Sequence, residues 1–335
     1  MKILVIGAGA IGGSTAAMMT KAGFDVTVSC RSEESALRLR QPGMKISGVR
    51  GEMFIPLNTV VGTDALGESY DYCIVSTKAY DTIPAVRSAL PHLSEKGLVL
   101  VLQNGICIDE LLEAAGPERS ACGVTSFSAT MIDREHMEIT GEGGFIIGMS
   151  DGSYDERLEP LREAMSAMVP TEIKPPVIEH MYAKLIINSG ITCGGALTGQ
   201  LLGPMLKNPL ARKLFISLVY EDMALAEKLG IKVPPFGGKL DYYGFISGKG
   251  FFADLRRNVM MLVVGIKYRN LKSSSLTSLQ RGKRTEVDVL NGWISRKAAQ
   301  HGISTPVNDK LVELIKEIEA GSRKSSPENL KEFNF

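Results

Sequence analysis

In the first third of the chain, short uninterrupted apolar runs alternate with glycine-rich turns and with stretches of helical period. "ILVI" (3–6) and "GLVLVL" (97–102) are continuously apolar, as strands covered on both faces must be. "DVTVSC" (25–30) and "YDYCIVST" (70–77) continue the series, and "GSTAAMMTKAG" (13–23) predicts a helix that stops at Gly23. "ACGVTSFSAT" (121–130) and "HMEITGEGGFIIGMS" (136–150) read as further strands that extend this sheet at its far edge. The pattern breaks at "KPPV", around Pro175 and Pro176.

Beyond residue 178 the period changes to that of helices. "YAKLIINSGITCGGAL" (182–197) reads as one apolar helix, and "NPLARKLFISLVYEDMALAEKLG" (208–230) as a long one closed by Gly230. "RTEVDVLNGWISRKAAQHG" (284–302) and "PVNDKLVELIKEIEAG" (306–321) each end at glycine as well. Between them, residues 234–272 are less regular and suggest a loop or lid leading to a short buried helix. The polar tail "SRKSSPENLKEFNF" reads as loosely held. The expected organisation is therefore an α/β domain over 1–177 and an all-α domain over 178–335, with an extended insert near 234–272.

Composition narrows the picture. A length of 335 residues exceeds one ordinary core, and 44% hydrophobic with 22% charged residues is a globular balance. The net charge of +1 gives no reason to expect a nucleic acid or a membrane as partner. Cysteines stand at 30, 73, 107, 122 and 193, an odd number without CxxC spacing. Neither a disulfide framework nor a metal site is suggested, and a reducing, cytoplasmic setting is expected. The opening "MKILVIGAG" breaks at Gly7 after four apolar residues, too short for a signal-peptide core. No run reaches the ~18 apolar residues of a membrane helix. The longest, "VMMLVVGI", lies between Arg257 and Lys267.

The first strand runs into "GAGAIG" (Gly7, Ala8, Gly9, Ala10, Ile11, Gly12) and then into a helix. This is the order a Rossmann dinucleotide fingerprint requires. Gly7 permits the tight turn, Gly9 lets the backbone approach a pyrophosphate, and Gly12 lets helix and strand pack closely. The second strand ends in Cys30, Arg31 and Ser32, where an NAD enzyme usually places Asp or Glu. Arg31 can stack on adenine and pair with a 2′-phosphate, which favours NADP. Glu33 and Glu34 beside it weigh the other way, and an arginine that only caps a surface loop is the alternative. Lys78 and Asn104 follow two further strands and fall where a parallel sheet receives its ligand. An isolated Asn-Gly is also a common turn.

In the helical half, Lys184, Asn188 and Thr192 recur every four residues and project along one line, with His180 one turn earlier. A lysine in an apolar stripe either snorkels to solvent or has work to do. Gly190, Gly194, Gly195 and Gly199 thin the same segment and invite a close neighbour or a ligand. Reduction of a ketone leaves an alkoxide that needs a proton donor. His92, His136, His180 and His301 are scattered, whereas a partly desolvated lysine can serve. Glu286 is the carboxylate best placed to orient it, and Asn188 with the serines 273–275 can hydrogen-bond a substrate carboxylate or hydroxyl. Eight basic residues (256, 257, 267, 269, 272, 281, 283, 284) face only Asp254 over residues 254–284. A solvated helix face and an attraction for an anionic substrate both account for them.

"GAGAIG", Arg31, "STKAYD", "LQNGI", "KLIINSGIT" and "SSSLTSLQRGKRTEVDVLNGWI" follow one another in an order that resembles the ketopantoate reductase (2-dehydropantoate 2-reductase) family. The resemblance covers most of the chain. It implies an N-terminal Rossmann domain, a C-terminal domain like that of 6-phosphogluconate dehydrogenase, and NADPH-dependent reduction of 2-dehydropantoate to (R)-pantoate on the way to pantothenate and coenzyme A. It also implies cofactor contacts at Gly7 to Gly12, Arg31, Lys78, Asn104 and Ala129, and a proton donor at Lys184. Asn188 and Ser274 match substrate contacts, and Glu286 matches the acidic residue beside the active site.

Thr192 stands where the family carries a second asparagine, "TCGGALTG" replaces "NALTALTG", and "SLTS" replaces "MLQD". The inter-helix segment is longer by about two dozen residues, a size suited to a lid or a subunit contact, so that a homodimer is an open expectation. A different 2-oxo or hydroxy acid, or an opine-like product, is the alternative substrate. A silent NADP-binding regulator is a further reading, against which Lys184, Asn188 and Glu286 are all retained.

Overall fold

The computed structural model describes residues 1–67, 69–238 and 240–335. Its backbone contacts separate two compact units, Met1–Gln103 with Cys107–Ile178, and Asn104–Ile106 with Glu179–Phe335.

The strands of the first unit are β1 (Lys2–Ile6), β2 (Asp25–Cys30), β3 (Met44–Gly48), β4 (Met53–Ile55), β5 (Asn58–Val61) and β6 (Tyr70–Val75). They continue with β7 (Leu93–Val101), β8 (Ser120–Thr125), β9 (Ser128–Met131), β10 (His136–Gly141), β11 (Phe145–Met149) and β12 (Thr171–Ile173). Its helices are α1 (Ala10–Lys21), α2 (Glu33–Arg40), α3 (Ala79–Ala89), α4 (Ile108–Ala115) and α5 (Leu158–Ser166). Eight strands form the main sheet in the order β12-β11-β8-β7-β6-β1-β2-β5, every neighbouring pair parallel except β8 with β11. The apolar runs are its centre: Ile3, Leu4, Val5, Cys73, Ile74, Leu98, Val99 and Leu100 are all fully buried.

Two expected strands leave this sheet. Residues 120–125 and 145–149 join it, but β9 and β10 pair with β3 and β4 in a separate four-stranded sheet, β4-β3-β10-β9. The physical reason is written in β10. Met137 and Ile139 are buried while Glu138 and Thr140 are not, and such alternation marks a layer with one wet face. The small sheet lies on α1, where a Cβ on Gly13 would come within 2.7 Å of Met44 Cε.

The second unit contains α6 (Val177–Ile187), α7 (Cys193–Thr198), α8 (Leu202–Lys207), α9 (Pro209–Leu229) and α10 (Tyr242–Ile246). It is completed by α11 (Phe251–Lys267), α12 (Ser274–Gln280), α13 (Asn291–Gln300) and α14 (Pro306–Glu319). Three expectations change here. The segment 182–197 is not one α-helix: Asn188–Thr192 between α6 and α7 is a π turn. The insert does not lead to a short buried helix but to the 17-residue α11, of which only Arg257, Met261 and Gly265 are buried. The tail is docked: Asn329 Nδ2 and Ser326 N both donate to Leu197 O at 3.0 Å, and Leu330 is fully buried.

Arg257, one of the eight basic residues, is structural. Its guanidinium donates to the carbonyls of Phe245, Ile246, Ser247 and Gly248 at 2.8–3.0 Å, and pairs with Asp254 at 2.8 Å. It thereby satisfies the carbonyl end of α10, where a helix carries negative partial charge.

Because Leu330 is sealed in the helical core, Leu330→Ala should lower the stability of the protein by about 2–4 kcal/mol, read by urea titration of the far-UV signal. A loss below about 1 kcal/mol would mean that the tail detaches from the core before the protein unfolds.

Candidate active site

In the first unit the turn after β1 is built for close approach. Gly7 has φ +104, and a Cβ there would sit 2.6 Å from Ser76 O. A Cβ on Gly12 would meet Gly7 O at 2.2 Å, so helix and strand are as close as backbones come. Gly9 differs: its nearest outside atom is Met131 Cε at 3.9 Å, which leaves its outer side open. Gly9 caps α1 without any side-chain hydrogen bond, and the first turn carries no acidic residue. Ala8, Ala10 and Ile11 lie between, partly buried. The leading N–H groups of a 12-residue helix thus face outward with neither a capping oxygen nor a carboxylate to compete. A pyrophosphate fits that end in shape and in charge.

The neighbouring strands β2, β6 and β7 end along the same edge of the sheet. Arg31, just after β2, is well exposed and pairs with Asp81 at 2.5 Å. The two glutamates beside it are engaged elsewhere, Glu34 with Arg38 at 2.8 Å and Glu33 with Arg40 at 3.6 Å. Lys78 holds the N-cap position of α3. Gln103 ties this edge together: its Oε1 accepts from Thr82 Oγ1 and its Nε2 donates to Cys107 Sγ, both at 2.6 Å. Asn104 opens a turn that groups with the helical unit, where Ile106 N donates to Val289 O and a Cβ on Gly105 would come within 2.3 Å of that oxygen. Ala129 lies in β9 of the small sheet, packed against the apolar core beside α1.

In the helical unit Lys184 lies in the last turn of α6, Asn188 opens the π turn and Thr192 closes it. The widened turn keeps the last two in register, with Thr192 Oγ1 donating to Asn188 Oδ1 at 3.3 Å. Lys184 retains some accessible surface, yet it is crowded by the helices around it. Burial therefore brings its pKa from 10.5 to about 8, with the Glu286 carboxylate pulling the other way. Glu286 is itself buried. His180 is half-buried one turn before Lys184. Of the serine run, Ser273 caps α12 by accepting from Leu276 N at 3.2 Å and Ser275 is buried, while Ser274 is exposed. Gly195 is small because Ser273 Oγ would lie 2.6 Å from a Cβ there.

Sequence reasoning passed over what holds the π turn in place. Gly190 lies against the ring of Phe215, which a Cβ would meet at 2.2 Å. Asp222, fully buried in α9, accepts from Asn308 Nδ2 at 3.0 Å and contacts Ser189 Oγ at 2.7 Å. Burial raises the Asp222 pKa to about 8, so at neutral pH the carboxyl carries its proton. Ser189 Oγ has a second acceptor in Ile186 O at 2.9 Å. A protonated Asp222 can donate to Ser189, which frees the serine hydrogen for that carbonyl. Tyr242 Oη donates to Ala183 O at 2.5 Å, and so satisfies another carbonyl near the point where the ladder changes step. Next to Asp222, Glu221 accepts from Val307 N and Asn308 N at 2.8 and 2.9 Å, which caps α14 from outside. The available signal was an aspartate on the buried stripe of α9, four residues after Leu218 and four before Ala226.

A nucleotide-binding α/β unit followed by an all-helical unit carrying a partly desolvated lysine defines a class of two-part reductases. The chain belongs to the ketopantoate reductase PanE/ApbA family, whose N-terminal model matches residues 3–152 and whose C-terminal model matches residues 177–319. It is 30% identical over 324 residues to a 2-dehydropantoate 2-reductase of Pyrococcus abyssi, covering 96% of this chain and 98% of that one. With the 2-dehydropantoate 2-reductase of Aquifex aeolicus it shares 29% over 322 residues, 94% and 96% of the two chains. Among solved structures, the ternary complex of a D-mandelate dehydrogenase with NADH and anilino(oxo)acetate superposes with a TM-score of 0.81 at 20% identity, covering 96% of this chain and 99% of the other. No helix among the described residues is long and apolar enough to cross a membrane.

Asp222→Asn should keep the network, with its amide donating to Ser189, and cost under about 1 kcal/mol, whereas Asp222→Ala should cost about 2–4 kcal/mol. The pKa of Asp222 is raised on folding from 3.8 to about 8, so its contribution is complete below the lower value and lost as pH rises through the higher. Denaturation of the wild type should therefore show stability falling across that window relative to Asp222→Asn. Parallel pH dependences in the two proteins would refute a protonated Asp222.

Proposed function

We propose that the protein is an NADPH-dependent reductase of a 2-oxo acid, with 2-dehydropantoate the first substrate to consider and Lys184 the proton donor. The observation that carries this reading is the lysine itself: a charged group whose pKa burial has brought near 8, beside a buried carboxylate. A reduced nicotinamide, when bound, supplies the hydride. The remaining work falls to the chain. The open first turn of α1 binds the pyrophosphate, and Lys78 adds positive charge at the same edge of the sheet. Asn188 and Ser274 hold the substrate's carboxylate and hydroxyl. Lys184 in its ammonium form delivers a proton to the oxygen that becomes the alcohol, and Glu286 keeps that ammonium charged and oriented.

The preference for NADPH rests on Arg31. No carboxylate ends β2, and Glu33 and Glu34 are taken up by Arg40 and Arg38, so the exposed guanidinium is the group available to a 2′-phosphate. Its ion pair with Asp81 holds it beside the N-terminal turn of α3.

A second substrate reading has its own support. The hydroxyl of Thr192 is spent on Asn188, so that this position offers a substrate no hydrogen-bond donor where the resemblance implies an asparagine amide. A pocket with one donor fewer suits a 2-oxo acid with a more apolar side chain, and the D-mandelate dehydrogenase likeness falls in that direction.

The deciding experiment is NADPH oxidation by the purified protein with 2-dehydropantoate and a panel of aliphatic and aromatic 2-oxo acids. In the reductive direction kcat/KM should fall as pH rises through about 8, because the donor is the protonated lysine. Lys184→Ala should lose about 100-fold or more in rate together with that limb. Glu286→Gln should shift the limb to lower pH. A limb that survives in Lys184→Ala would exclude the lysine as donor. NADPH turnover with an aromatic 2-oxo acid but not with 2-dehydropantoate would transfer the substrate to the second reading.

Arg31→Ala should weaken NADPH binding about tenfold more than NADH binding, because the charge-assisted contact to the 2′-phosphate is lost with NADPH alone whereas any stacking on adenine is lost with both. Equal losses for both nucleotides in fluorescence titrations would remove Arg31 from 2′-phosphate recognition.

A further inference from the structure

Arg31 and Asp81 come from opposite sides of the strand that carries the glycine turn. In the sheet order β6-β1-β2, Arg31 is the first residue beyond β2, and Asp81 lies in the first turn of α3, which follows β6. Neighbouring strands lie ~4.8 Å apart, so about 10 Å separates β2 from β6, with β1 between them. All three run parallel, so the Arg31–Asp81 ion pair, at 2.5 Å, bridges the strands that flank β1 at the end of the sheet where the glycine turn opens.

A carboxylate in the first turn of a helix needs no ligand to explain it, since the helix dipole favours one there, and an exposed ion pair adds little to stability. The details of this pair go further. The Arg31 side chain is 83% exposed, and only its Nη2 is engaged, by Asp81 Oδ2. Among the described residues, the rest of the guanidinium and Asp81 Oδ1 take no other hydrogen bond or ion pair. Most of the guanidinium thus faces solvent with a carboxylate already beside it. Glu33 and Glu34, nearer in sequence, are paired with Arg40 and Arg38. Asp81 is therefore the anion that any group binding Arg31 must meet.

A 2′-phosphate and a ribose hydroxyl meet this pair differently. The phosphate carries nearly two negative charges, and it must share the guanidinium with a carboxylate or displace it. A hydroxyl brings no charge and can donate to Asp81 Oδ1 while the ion pair stays intact. We propose that Asp81 is a specificity-determining residue of the nucleotide site: its carboxylate competes with a 2′-phosphate for Arg31 and keeps the preference for NADPH over NADH modest. This rests on the reading of Arg31 as the partner of that phosphate. The pair then serves both nucleotides, Arg31 for the phosphate of one and Asp81 for the hydroxyl of the other.

Fluorescence titration of the full-length protein with NADPH and with NADH tests the proposal. Asp81→Asn keeps the shape of the side chain and an oxygen for Arg31 but removes the charge. It should tighten NADPH binding about three- to tenfold and weaken NADH binding at most about threefold, so that the ratio of the two affinities rises. In an Arg31→Ala background the same substitution should gain little, because the group competed for is gone. A change common to both nucleotides would mark a disturbed α3 and would overturn the proposal, as would an undiminished gain in the Arg31→Ala background. Weaker NADPH binding in Asp81→Asn would overturn it too, and would make the carboxylate the group that aims the guanidinium. If Arg31→Ala loses NADPH selectively while Asp81→Asn leaves the ratio unchanged, the role of Asp81 falls and the reading of Arg31 stands. Equal losses of both nucleotides in Arg31→Ala would remove that reading and the proposal with it.

Discussion

The helical unit depends on a carboxyl group that cannot reach water. Asp222 is buried at the crossing of α9 with the π turn, and through Asn308 with α14 and α13. An isolated charge in that position would cost several kcal/mol, and the group avoids the cost by keeping its proton. As a neutral acid it both donates and accepts, so Ser189 and Asn308 can be satisfied by one side chain. The arrangement has little slack. Asn291 Nδ2 donates to Asn308 Oδ1 at 2.8 Å, Asn308 donates on to Glu221 and Asp222, and removing any member leaves a buried group unpaired.

That network bears on the lysine. A π turn inserted into a helix is a local defect, worth keeping only where side chains absorb the shifted hydrogen bonds. Ser189 and Tyr242 do so at Ile186 O and Ala183 O, and Gly190 admits the Phe215 ring where any larger residue would force the turn apart. Lys184 projects from the turn just before the defect and Asn188 from its first residue. Their relative direction is therefore set by Asp222 and Phe215, residues on α9 that lie outside the stripe itself. The role proposed for Lys184 needs this rigidity more than strength, because a proton donor's usefulness depends on a pKa near working pH and on a fixed line to the acceptor.

How much of this the sequence disclosed follows from how local each feature is. The glycine turn after β1 was legible because its stereochemistry is contained in six residues: Gly7 takes φ +104 and Gly12 admits a backbone at 2.2 Å. The lysine stripe was legible because burial of a cation is anomalous wherever it occurs. The small sheet was not, since β3 and β10 lie about ninety residues apart and only their shared alternation hints at pairing. The π turn was hidden because Asn188 and Thr192 keep a four-residue spacing in either helix type. The docked tail was hidden because its anchors, Asn329 and Leu330, stand singly among polar residues.

The helix α11 shows a different limit. The apolar run at 259–266 reads, in sequence, as a helix surrounded by its own protein. Within the chain only one side is covered. The pattern was informative about burial and silent about who provides it.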